Sequence, residues 1–181
     1  MLQTVGVIEL KSIAKGILAC DEILKSAEIQ LISAHTACPG KYEIIITGQL
    51  SNVQIAIDRA TDNYGEYVLD STVMGRIEPT VIKALFGGVA DCAKGAIGVI
   101  ETFSGTSAIK AADSAVKAAA VEIMEMSISR GMGGKGYVVV TGDIADVTAA
   151  VETGAEYAKN QGLLAGTSLL AAPHEDLWQY I

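Results

Sequence analysis

The chain carries one pattern twice, so whatever fold it takes must be built twice. Gly6-Val7-Ile8-Glu9 returns as Gly98-Val99-Ile100-Glu101, 92 residues further on. At the same spacing Ser12 matches Ser104, Asp21 matches Asp113 and Lys25 matches Lys117. Later the spacing reads as 94. Gly40-Lys41 matches Gly134-Lys135, Thr47-Gly48 matches Thr141-Gly142, and Pro79 matches Pro173. The second copy has gained two residues, and the gain falls at a loop. In the first copy that loop holds Cys38-Pro39-Gly40; in the second it holds Arg130 and the glycines Gly131, Gly133 and Gly134. The copies fill the chain as two domains, 1–90 and 91–181. The joint is expected near Gly87-Gly88-Val89-Ala90-Asp91, where paired glycines punctuate the first copy.

Each copy predicts the same order of elements. A strand (Val5–Leu10; Ile97–Thr102) leads into a helix from about Ser12 to Ala27. Ile13, Ile17, Cys20, Leu24 and Ala27 recur at three- and four-residue steps, which places one apolar stripe against a sheet. Two strands follow, Ile29–Thr36 and Tyr42–Thr47, joined by the cysteine loop. Ser51 is the expected cap of a second helix that buries Val53, Ala56, Ile57 and Ala60. A strand at Val68–Met74 and a short helix after Pro79 complete the copy. The fold class is α+β with mainly antiparallel pairing, and two such units would dock as one pseudo-symmetric protomer.

Composition narrows the partners. Hydrophobic residues make up 50% of the 181 and charged residues 19%, so subunit contacts are expected to hide apolar surface beyond the core. The net charge of −8 and the scattered lysines exclude nucleic acid as a main partner, because phosphate binding needs a basic face. No apolar run reaches the roughly 18–20 residues of a membrane-spanning helix; Leu163–Ala172 is too short. MLQTVGVIELKS lacks the basic and apolar segments of a signal peptide, so the expected location is the cytoplasm. Three cysteines in a reducing compartment do not suggest a disulfide framework.

Several residues carry chemistry in principle. Cys20 lies on the apolar stripe and reads as core. Cys92 sits between the copies and receives no role. Cys38, alone in its loop, reads either as a small exposed residue or as a ligand. His35 stands three residues before it; on one strand an odd separation sends the two side chains to opposite faces, against a catalytic cysteine–histidine pair. Residues 131–136 match G-x-G-x-x-G literally. That fingerprint needs a strand before it and a helix after it, whereas here a strand at Tyr137–Thr141 follows, so a dinucleotide site is rejected.

The motifs together resemble a known family. GVIE with its following serine, Asp-x-x-x-Lys-x-Ala (Asp21, Lys25, Ala27; Asp113, Lys117, Ala119), Gly-Lys entering a strand and Pro173-His174 are similar to the tandem-domain shell proteins of bacterial microcompartments. The resemblance covers essentially the whole chain. It implies a duplicated microcompartment domain, a ferredoxin-like α/β sandwich, in a homotrimer whose six domains form a pseudohexameric tile. Such tiles pack with other shell proteins around enzymes, with a pore on the symmetry axis. It implies a structural protein rather than an enzyme, in a compartment shell within the cytoplasm. Lys25 and Lys117 match tile-edge positions. One departure stands out: the arginine that relatives place before Pro-His is Ala172 here, and Glu78 precedes Pro79. Tile packing is therefore expected to differ in strength or in choice of neighbour.

A propanediol-utilisation subgroup is closer still. It is matched by SIAKG, LKSA, Thr36-x-Cys38-Pro39-Gly40-Lys41, the second-copy GGK and Pro173-His174-Glu175-x-x-Trp178. That likeness implies that Cys38 lines the trimer axis, where three copies hold one 4Fe-4S cluster per trimer for electron transfer across the shell. A lumenal or cytosolic redox protein is the implied partner. Three cysteines bind three irons, so the fourth would need water or a partner's side chain. Pro39 and Gly40 are expected to fix the loop with backbone N–H groups near the sulfurs. Gly131, Gly133 and Gly134 would form the compact counterpart of this pore loop. The alternative is a metal-free pore that conducts small metabolites, with Cys38 simply lining it.

Overall fold

The computed structural model describes residues 4–88, 92–128 and 131–181. The expected joint at Val89–Asp91, with the 90/91 boundary, lies outside the described residues, as does Arg130. By contacts the chain divides into two units. One holds Met1–Ile77 with Ser129–Gly134; the other holds Glu78–Ile128 with Lys135–Ile181.

The first unit runs β1 (Thr4–Leu10), α1 (Ile13–Ser26), β2 (Ile29–Ala37), β3 (Lys41–Gly48), α2 (Leu50–Tyr64) and β4 (Val68–Met74). Its sheet has the order β2-β3-β1-β4, antiparallel throughout. Ile8, Leu10, Ile44 and Ile46 of the sheet meet Ala19, Cys20 and Ile23 of α1 and Val53, Ala56, Ile57 and Ala60 of α2. Cys20 is core, as its position on α1 predicts.

The apolar stripe of α1 differs from the expected one. Its buried row is Gly16, Ala19, Cys20 and Ile23, while Ile13, Ile17 and Leu24 face outward. The reason is close approach: a Cβ at Gly16 would stand 2.3 Å from Tyr42 Cβ on β3. The helix therefore seats on its small residues. Ser12 caps α1 by accepting from the Lys15 N–H, and Ser104 does the same for Ser107 in the second copy. Ser51 is not a cap, because α2 begins one residue earlier, after Gln49, without a side-chain cap. α1 and α2 are also tied by Glu22, which accepts from Arg59 Nε at 3.0 Å and Tyr64 O–H at 2.9 Å. The Arg59 bond, helped by Tyr64 and Asn63, holds the Glu22 carboxyl below its ordinary range.

The second unit opens with α3 (Pro79–Leu85), then β5 (Ala96–Thr102), α4 (Gly105–Ala118), β6 (Glu122–Ile128), β7 (Gly136–Gly142), α5 (Ile144–Asn160) and β8 (Leu164–Leu170). A 3-10 turn at Glu175–Gln179 closes the chain. The sheet order, β6-β7-β5-β8, repeats that of the first unit. α4 has the 14-residue length of α1, but α5 has 17 residues against 15 in α2. This second gain moves the spacing again. Met74 faces Val5 as Leu170 faces Ile97, so β4 and β8 match 96 residues apart. The Pro79–Pro173 match is thus out of register: Ile77 corresponds to Pro173, and Glu78, the cap of α3, to His174, the cap of the last turn.

Candidate functional site

Ala37 pairs with Lys41, so Cys38, Pro39 and Gly40 alone turn β2 into β3. Gly40 has φ of 81°, the left-handed region that glycine enters without strain. The Cys38–Pro39 peptide is cis. Cys38 is exposed and its thiol is free. Of the other thiols, Cys20 is buried and Cys92 half-buried, its Sγ near the Ile123 carbonyl.

Just behind the tip the polarity is inward. Lys41 is 8% exposed and its Nζ lies 3.0 Å from Glu9 Oε1, a carboxylate without any exposed surface. The same Nζ donates to the Gly134 carbonyl at 2.9 Å. Gly134 has φ of 86°, and a Cβ there would stand 2.6 Å from the Cys38 carbonyl oxygen. Gly131 and Gly133 also have positive φ, but open space surrounds them. So three glycines of the second loop are glycines for conformation, and one of them also for contact with the cysteine turn.

Neither the lysine's burial nor the row of charges beside it was foreseen. His35, Glu43, Glu9 and Asp70 stand directly opposite one another on β2, β3, β1 and β4. The three carboxylate residues are buried, and His35 Nε2 lies 3.3 Å from Glu43 Oε1. His35 thus reaches across the sheet rather than toward Cys38. At the matching places the second copy has Ser127, Tyr137, Glu101 and Gly166. There Lys135 and Glu101 pair at 3.1 Å while both stay more than two-fifths exposed. Cross-strand register was the signal that would have found the row: Glu9 and Glu43 both sit within strands beside apolar residues.

Lys25 and Lys117, the expected edge lysines, each bind the aspartate one helical turn before, Asp21 and Asp113, at 2.7 Å. The two pairs differ in exposure. Asp21 is 58% exposed and Asp113 only 2%. Asp113 also accepts the Glu78 backbone N–H at 3.0 Å. The arginine expected to be missing is present in one copy, because the 96-residue register sets Arg76 against Ala172. Arg76 is exposed, with φ of 61°. Among the described residues of one chain, no three His, Cys, Asp or Glu side chains gather as a metal-binding group. No helix among them is long and apolar enough to cross a membrane.

Two α+β units of one topology, joined in one chain and carrying a loop pair at equivalent hairpins, define a tandem-domain protein. The chain belongs to the BMC-domain family: the BMC domain model matches residues 4–77 and 96–173. It is a bacterial microcompartment shell protein of the tandem type. It is 41% identical over 179 residues to the microcompartment shell protein PduT of Citrobacter freundii, covering 99% of this chain and 97% of that one. It is 29% identical to the carboxysome assembly protein CcmO of Synechococcus elongatus, across 95% of this chain and 66% of that one. Among solved structures, a microcompartment protein of Desulfitobacterium hafniense superposes with a TM-score of 0.82 at 36% identity, over 99% of each chain. The fused permuted hexameric shell protein MSM0275 shares the fold, with a TM-score of 0.68 at 21% identity over 88% of this chain and 85% of that one.

Proposed function

We propose that the chain forms a homotrimeric, pseudohexagonal tile of a microcompartment facet, in which three Cys38 thiolates hold one 4Fe-4S cluster on the pore axis. The observation that carries this reading is a free, exposed thiol at the tip of a three-residue turn in one copy only. The residues fit the group. Cluster irons take cysteine thiolates, and a threefold axis turns one thiol per chain into three. A Cβ at Gly131 or Gly133 would meet nothing within 4 Å, so neither glycine is crowded within its own chain. Lys41, held between Glu9 and the Gly134 carbonyl, fixes the base of the cysteine turn and directs its own charge inward. When bound, the cluster supplies one-electron transfer, which makes the tile a relay between lumen and cytosol with a redox protein as partner. The cluster's fourth iron is left to water or to a group on that partner. Other shell proteins meet the tile at edges that include Lys25, Lys117 and Arg76. The role is structural and electron-conducting rather than catalytic.

Anaerobic reconstitution tests the reading. Wild-type protein is expected to gain the broad visible absorption of an iron–sulfur cluster, and Cys38→Ser is expected to lose it. Equal iron in both would refute Cys38 as the ligand, and a wild-type protein without a cluster would leave the metal-free metabolite pore as the better account.

A further inference from the structure

At one matched cross-strand place the first copy sets a histidine against a carboxylate, and the second sets a serine against a tyrosine. His35 is on β2, the edge strand of its sheet, and its partner Glu43 is on β3. They stand two residues behind the Ala37–Lys41 pair that closes the Cys38 turn. Ala34, Tyr42 and Ile44 pack into the helix-covered core, so His35 and Glu43 lie on the sheet's other face, away from α1 and α2. Glu43 is fully buried, and neither of its oxygens accepts a hydrogen bond from the described residues. His35 Nε2 stands 3.3 Å from Glu43 Oε1, and the His35 side chain keeps 24% of its surface in solvent.

Within the four strands, the other charged groups on this face are Glu9 on β1, Lys41 on β3 and Asp70 on β4. Lys41 is turned to Glu9 and to the Gly134 carbonyl. Residues 131–134 of that loop bring no titratable side chain. Glu9 stands directly across from Glu43, where a like charge is unfavourable. The imidazole therefore decides how Glu43 is held. Charged, it gives the buried carboxylate a counter-ion. Neutral, it withdraws that counter-ion while Glu9 stays opposite. An imidazole is the side chain whose charge ordinarily changes between about pH 5 and 8. The second hairpin has no such group at this place. Ser127 does not ionise, and burial with the Glu125 bond pushes the Tyr137 pKa up to about 12, so its phenol stays neutral over the same range.

We propose that His35 and Glu43 form a proton-binding site that latches the β2–β3 hairpin beneath Cys38. With the proton bound, imidazolium and carboxylate hold the edge strand to β3. As the proton leaves, the pair is lost and the end of the hairpin opens more often. The paired form is the protonated form, so its contribution is complete at the acid end of the range and falls as pH rises. The exposed part of His35 gives the proton a route to water. The inference rests on reading the Cys38 turn as the working loop, and it makes pH a regulator of that loop in one copy only.

Hydrogen exchange of cluster-free protein, read by mass spectrometry, tests the latch. Exchange in residues 35–43 is compared at about pH 5.5 and about pH 8, each divided by the intrinsic rate at that pH. Wild type is expected to open about tenfold more often at the higher pH, while β7 of the second hairpin changes by less than about twofold. Glu43→Gln is expected to abolish the difference, since a neutral amide needs no counter-ion. His35→Gln is expected to abolish it as well, and His174→Gln, at the chain's other histidine, to keep it. Equal protection of residues 35–43 at both pH values in wild type, or the full difference kept in Glu43→Gln, would overturn the latch. Should His35→Gln not fold, wild type and Glu43→Gln still decide. Iron plays no part in this readout. Protein that shows the difference but binds no cluster keeps the latch and loses the cluster reading; protein that binds a cluster without the difference does the reverse.

Discussion

Lys41 and Lys135 occupy matching places in the two copies and carry unequal weight. Removing a cation from a buried pair leaves a charge where water cannot reach it, which typically costs about 3–5 kcal/mol, whereas an exposed pair contributes about 0–1 kcal/mol. Lys41→Met is therefore expected to destabilise the chain by about 3–5 kcal/mol and Lys135→Met by at most about 1 kcal/mol, read from urea unfolding midpoints. Gly134 supplies a second contrast. An alanine in the left-handed region costs about 1–2 kcal/mol, and crowding a packed site adds about 1–3 kcal/mol. Gly131→Ala and Gly133→Ala carry only the first cost, since nothing stands within 4 Å. Gly134→Ala carries both, because its Cβ would press on the Cys38 carbonyl, so its loss of stability should be the largest of the three. The sequence marked Cys38 and the glycines as special residues. It did not show that Lys41 turns inward, because a lysine beside a turn has the same letter whether it is solvated or buried.

Among the elements, the β6–β7 pair gives a pH test. Tyr137 on β7 donates its O–H to Glu125 on β6. Burial first, then the bond and charge of Glu125, push the Tyr137 pKa up to about 12. An acid whose pKa is higher in the folded state keeps its contribution below its unfolded value, near 10, and loses it as pH rises toward 12. Wild-type melting temperature is expected to fall across that window, and Tyr137→Phe is expected to flatten the fall. Strands, helices and their order were legible from periodicity and repeat matching. The face of α1 was not. Its large apolar residues suggested one stripe, while Gly16 and Ala19 define the packed one, because a helix approaches a sheet most closely on its smallest side chains. Ile17 and Leu24 face outward instead. Two extra residues at the end of α5 also shifted the late register, which no match of Pro79 to Pro173 could reveal.

At the scale of the whole molecule, the duplication both announces the family and permits asymmetry. One copy keeps a thiol turn with a buried Lys41–Glu9 pair behind it; the other keeps glycines with positive φ and an exposed pair. A chain built from two copies places each kind of loop three times around a trimer, so a one-copy feature becomes a threefold one. That multiplication depends on the trimer, which the family resemblance implies and the count of copies within the chain does not. The difference in burial between Asp21 and Asp113 was not legible, because both stand in the same Asp-x-x-x-Lys pattern. The central claim is tested most directly by iron and acid-labile sulfide in anaerobically prepared trimer, wild type against Cys38→Ala. One cluster's iron and sulfide per three wild-type chains, with both lost in the variant, is the predicted result. Metal-free wild-type trimer, or iron retained by Cys38→Ala, would contradict it.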